Sequence, residues 1–145
     1  MIGKIKKVVA LIDFSDVTRK VIDFAASQAK VNGAKLILLH VEPESAEKLY
    51  HKIDKAERDR RAKMLWFEHS DLGGKAKELR ELGVDVTPLL IEGPELQVIL
   101  REVDELKPDL LVIGHHHHSA WFKFFNESVG EKLIQKVTCP LTLIS

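Results

Sequence analysis

EGPELQVILREVDELKPDLLVIG, residues 92–114, is the stretch whose reading decides the fold. Gly93-Pro94 puts a proline in a first helical turn, where the missing N–H would have had no partner. Leu96, Ile99, Leu100 and Val103 then recur at helical spacing, and Pro108 stops the segment. Leu110–Ile113 follows at once, a short apolar run closed by Gly114. A helix that hands the chain straight to a buried strand is half of a β-α-β unit.

The same alternation extends in both directions. Apolar, mostly β-branched runs occur at Val8–Ile12, Leu36–Val41, Val84–Ile91, Leu110–Ile113 and Leu141–Ile144. Between them lie helical stripes. Val17, Val21, Phe24 and Gln28 mark the first, and Leu49, Ile53, Ala56, Met64, Phe67, Ala76 and Leu79 a long second one. Val129, Leu133, Ile134 and Val137 mark the last. Gly73-Gly74 is expected to break or kink the long segment. Near-continuous apolar strands imply a five-stranded parallel sheet with helices on both faces. Right-handed crossovers reduce the choices to a few doubly wound arrangements. In the order 3-2-1-4-5, Asp13 after the first strand and Gly114 after the fourth flank the crevice where strand order reverses. The whole chain, 1–145, is expected to form a single domain.

Composition excludes several functions. The 22 basic and 22 acidic side chains cancel, so no excess of cations is available for a phosphate backbone, and no nucleic-acid partner is expected. No apolar run approaches membrane-spanning length, and MIGKIKKVVALID reads as a first strand, not a signal peptide. The single cysteine, Cys139, rules out an internal disulfide and fits a cytoplasmic location. There is no GxxxxGK[ST], HExxH, CxxC or GxSxG, so enzymatic chemistry is expected to amount at most to weak nucleotide hydrolysis.

VIGHHHHSAWFKFFN, residues 112–126, is the unusual stretch. Its histidines are internal, which argues against a purification tag. Imidazoles suit zinc, nickel and copper, and His116 and His118 share a face if the chain is extended. Adjacent residues rarely converge on one ion, however, and no cysteine or carboxylate pair accompanies them. A solvated or partner-facing loop is the expectation, with His116 and His118 as the candidate ligands of an alternative metal carrier. Phe122 and Phe125 are spaced to cover the core, leaving Trp121 for solvent or a partner.

Three segments carry a family resemblance: VVALIDFSDVTRKVIDFAASQAKVNGAKLILLHVEPE, EGPELQVILREVDELKPDLLVIG and KLIQKVTCPLTLIS. In order and spacing they resemble the universal stress protein family over nearly the whole chain, apart from the second helix. The resemblance implies an adenine nucleotide alpha hydrolase-like, Rossmann-like fold and a role in stress response. It also implies either ATP binding or its absence, because both kinds of member exist. ATP-binding members carry Gly, two residues, Gly, nine residues, then Gly and Ser or Thr after the fourth strand. Here these positions are Gly114, His117, Glu127 and Ser128, so two of the three glycines are missing and the loop is degenerate.

By the same resemblance, Asp13 corresponds to the residue holding the adenine end and Val41 to a backbone contact with the base. His116 falls on a histidine often found within the loop. His117 adds a side chain where backbone N–H groups should approach the phosphates, and Glu127 adds a like charge there. Ser128 has a second reading, since Ser128-x-x-Glu131 is a capping box for the last helix. Asp13 has one too, as the residue that ends the strand and begins the turn. The expectation is a binding or regulatory module without tight ATP binding. The alternative is a member that accepts AMP, adenosine or ATP with magnesium, while the client protein is not legible. PLTLIS should form an apolar edge strand, and the resemblance points to a homodimer through Leu141–Ser145.

Overall fold

The computed structural model describes residues 3–43, 55–115 and 128–145. Strands β1 (Lys7–Leu11), β2 (Lys35–Pro43), β3 (Asp85–Gly93), β4 (Leu110–Gly114) and β5 (Leu141–Ile144) alternate with helices. The helices are α1 (Thr18–Asn32), α2 (Lys55–Glu81), α3 (Glu95–Leu106) and α4 (Ser128–Lys136). All neighbouring strands pair in parallel, as the apolar runs imply, and the order is β3-β2-β1-β4-β5. Register pairs Ala10 with Leu38 on one side and with Val112 on the other, so β1 is the central strand. Pro88 is tolerated because β3 is an edge strand and needs no donor on its outer side.

Strand alternation sorts the core into two layers. Val8, Ala10, Leu36, Leu38 and Val86 face α1 and α2, where Val21, Ala25, Ala29, Leu72, Ala76 and Leu79 cover them. Val9, Ile37, Leu39, Val41, Leu111 and Ile113 face the other way, against Val98, Ile99, Val103 and Leu133. Both faces of the sheet are therefore dry, and the strands read as continuous apolar runs for that reason.

Helix α2 departs from expectation. It runs unbroken through Gly73 and Gly74, both exposed with open space where a Cβ would stand. Burial of Leu72 and Ala76 on either side of the pair fixes the helix to the sheet, and this outweighs about 1 kcal/mol of helix propensity lost per glycine. Phe67, expected on the apolar stripe, is 64% exposed, whereas Leu72 takes the buried position. A glycine ends α1, with Gly33 in the left-handed region at φ 62°. At the end of α3, Lys107 adopts the same conformation at φ 49°.

Candidate functional site

Asp13 lies just beyond the carboxyl end of β1, and Gly114 is the last residue of the adjacent strand β4, at the reversal of strand order. One oxygen of Asp13 accepts hydrogen bonds from the Ser15 backbone N–H at 3.0 Å and the Thr18 hydroxyl at 3.2 Å. Both hold the turn that leads into α1. Phe14, in that turn, has φ 56°, a left-handed conformation costing a bulky residue about 1 kcal/mol. The strained turn lays the Phe14 ring edge-on against His40, with centroids 4.6 Å apart.

His40 is, among the described residues, the one polar side chain that is fully buried, at 1% exposure. It continues the Leu36–Leu38 alternation on the α1/α2 face, and Glu42 stands two residues further along the same face. Glu68, one helical turn before Leu72 on α2, reaches the same point. His40 Nδ1–H donates to the Ile12 carbonyl, and Nε2 lies 2.7 Å from Glu42 Oε1 and 3.6 Å from Glu68 Oε2. Burial by itself would lower the His40 pKa. Hydrogen bonds to Glu42 and Ile12, with the nearby Glu68 carboxylate, outweigh it and raise the value to about 9.

The two carboxylates divide their roles. For Glu42, burial disfavours the charge, but the His40 hydrogen bond prevails and the pKa is lowered. Glu68 is raised, because burial and the hydrogen bond and charge of Glu42 together outweigh His40. Glu42 is therefore the ionised partner of the imidazolium.

A fourth carboxylate joins from α3. Gly93 adopts φ 154°, and a Cβ there would stand 2.6 Å from Val98 Cγ2, so only glycine makes the tight turn from β3 into α3. That turn brings Glu95 to the carboxyl end of the sheet. Burial raises its pKa to about 7; the His40 charge opposes the shift, and Asp13 and Glu42 add to it. Its Oε2 is buried without a hydrogen-bond partner.

The other sequence candidates are placed as follows. Val41 is buried on the α3 face. At Gly114 a Cβ would meet Val17 Cγ2 at 2.6 Å and Val21 Cγ2 at 3.1 Å, so packing against α1 accounts for this glycine without any ligand. His116, His117, His118, Trp121–Phe125 and Glu127 lie outside the described residues, as does the side chain of Ser128, the first residue of α4. His115 is described and exposed, and its N–H donates to Ile144 O at 2.6 Å. Cys139 is half-buried, and burial pushes its thiol pKa up, away from reactivity. Sequence reasoning missed His40, Glu42, Glu68 and Glu95. The available signal was a polar residue at every second position where an apolar strand ends, in LLHVE (38–42).

Together, strand order and crossovers define an α/β protein of the doubly wound class. The chain belongs to the universal stress protein family, whose sequence pattern matches residues 4–145. It is 26% identical over 148 residues to a universal stress protein of Thermus aquaticus, covering 96% of this chain and 98% of that protein. Among solved structures, it resembles the universal stress protein UspA from Lactobacillus plantarum with a TM-score of 0.73. That match has 16% identity and covers 99% of this chain and 100% of the other. A universal stress protein from Archaeoglobus fulgidus in complex with dAMP gives a TM-score of 0.64 at 24% identity, with 100% of each chain covered. Among the described residues, no helix is long and apolar enough to cross a membrane.

Proposed function

We propose that this chain is a single-domain, cytoplasmic binding module of the stress response that does not hold ATP tightly. The observation that carries this reading is the charge at the carboxyl ends of the strands. Asp13, Glu42, Glu68 and Glu95 gather there, four carboxylates around one histidine. Phosphates need cations or open backbone N–H groups. The degenerate loop, with His117 and Glu127 in place of glycines, weakens the second provision as well. A smaller ligand such as AMP or adenosine is the second reading, favoured by the retained Asp13 and Val41 and by the dAMP complex of the Archaeoglobus relative.

Titration calorimetry tests both readings. ATP with magnesium should bind with a Kd weaker than about 10 μM, roughly −7 kcal/mol. Replacing His117 and Glu127 together by glycine should tighten it. Tighter binding by the natural chain, or no gain in the double variant, would show that the phosphates are held elsewhere.

The partner we propose is a second copy of the chain, joined through Leu141–Ser145. Strand β5 is an edge of the sheet, and Leu143 on it is 49% exposed, with Ile134 of α4 also exposed. An apolar, unpaired edge is a template for the same strand of another copy. Light scattering should give twice the 16.4 kDa chain mass. Thr142→Pro with Leu143→Lys should give folded monomers, because one change removes a ladder donor and the other adds a charge. A monomeric natural chain, or a folded variant that stays dimeric, would refute the interface.

A further inference from the structure

We propose that His40, Glu42 and Glu68 form a binding site for a divalent transition-metal ion, with zinc the best chemical match. One imidazole nitrogen and two carboxylate oxygens, from β2 and α2, lie within 4.8 Å of one another. Bonds of about 2.0–2.2 Å to a tetrahedral ion put ligand atoms roughly 3.4 Å apart. The 3.6 Å separation of His40 Nε2 and Glu68 Oε2 already fits, and the 2.7 Å separation from Glu42 Oε1 has to open by about 0.7 Å.

The surroundings match those of a metal-binding histidine. The Ile12 carbonyl can only accept, so Nδ1 keeps its proton, and an ion bound at Nε2 displaces the other proton, the one His40 shares with Glu42, to solvent. Phe14 packs edge-on against the ring and fixes its plane. Two carboxylates beside one imidazole call for more than a single positive charge, which a divalent ion supplies. Glu68 Oε2 is buried and faces His40 Nε2 at 3.6 Å, longer than a hydrogen bond, so this oxygen is placed for an ion between them. The carboxylates are 12% and 15% exposed, which leaves an approach from solvent. Three protein ligands leave a fourth position for water or an exogenous ligand.

The histidine run at 115–118 competes for the same ions, so the test is made in the full chain with His115, His116, His117 and His118 all replaced by serine. Zinc titrated into this variant should bind one equivalent, and cobalt in its place should give the intense visible absorption of a tetrahedral site. Adding Glu68→Gln, a same-sized change at a partly exposed position, should weaken binding at least tenfold and lose the cobalt spectrum while circular dichroism stays unchanged. His40→Asn should do the same if it folds. No stoichiometric binding in the serine variant, or binding and spectrum that survive Glu68→Gln, would overturn the assignment.

Discussion

Gly114→Ala should destabilise the folded chain by about 3 kcal/mol, a fall in Tm of about 10 °C. The added Cβ would stand 2.6 Å from Val17 Cγ2 and 3.1 Å from Val21 Cγ2, closer than packed carbon atoms tolerate. Neither side can yield easily. Val17 and Val21 are buried and β-branched, so their rotamers are stiff. On the other side β4 is held in the ladder, where Gly114 pairs with Ile144 of β5. Shortening the neighbour should relieve the collision. Chemical denaturation of Gly114→Ala, Val17→Ala and the double variant should therefore give a double variant more stable than the two single losses combined, by at least about 1 kcal/mol. Simple additivity would mean that the strand end relaxes and that packing does not require glycine here. The outcome bears on function, because weaker nucleotide binding by a Gly114 variant would otherwise be read as loss of a phosphate contact.

The second large effect is a pH dependence that Glu95 imposes on stability. Its pKa is 4.5 in the unfolded chain and about 7 in the fold. Below the unfolded value both states are protonated and the group costs nothing. As the pH rises from about 4.5 to 7, the unfolded chain ionises while the folded one resists, and stability is lost. The ceiling is about 3 kcal/mol, and partial exposure of the side chain reduces it to about 1–2 kcal/mol. His40, with its pKa of about 9, stays cationic throughout this window. Glu95→Gln should therefore match the natural chain at pH 4 and exceed it by about 1–2 kcal/mol at pH 8. Parallel stability curves across that range would show that Glu95 is hydrated and ionises normally.

Why a destabilising carboxylate stands there follows from its surroundings. Gly93 and Pro94 force the chain to start α3 at the carboxyl end of the sheet, and Glu95 is the first helical residue. An acid suits that position, since it faces the positive end of the α3 dipole. Burial and the neighbouring Asp13 and Glu42 then work against its charge. Local helix chemistry and the tertiary site oppose each other at this residue.

Much of the architecture was legible in the residues alone. Five apolar runs and the helical stripes between them specify the strands and their parallel sense, because a strand buried on both faces has no polar alternation. Crossover handedness then leaves a few doubly wound arrangements, and the one found, β3-β2-β1-β4-β5, places Asp13 and Gly114 at the reversal. Family membership was legible too, in three segments whose spacing spans the chain. Local signals, however, mispredicted α2. A glycine pair argues for a break only until Leu72 and Ala76 are buried beside it, and that burial is a tertiary fact.

The cluster around His40 was settled by tertiary structure alone. His40 and Glu42 are two residues apart, but Glu68 is separated from them by a helix whose rotation about its own axis no sequence pattern specifies. Packing of Leu72, Ala76 and Leu79 on the sheet sets that rotation, turning Phe67 outward and Glu68 inward. Periodicity could name a stripe, but not which edge of it would meet β2. A sequence records the spacing of side chains along one element, whereas charges from separate elements meet only where packing brings their ends together.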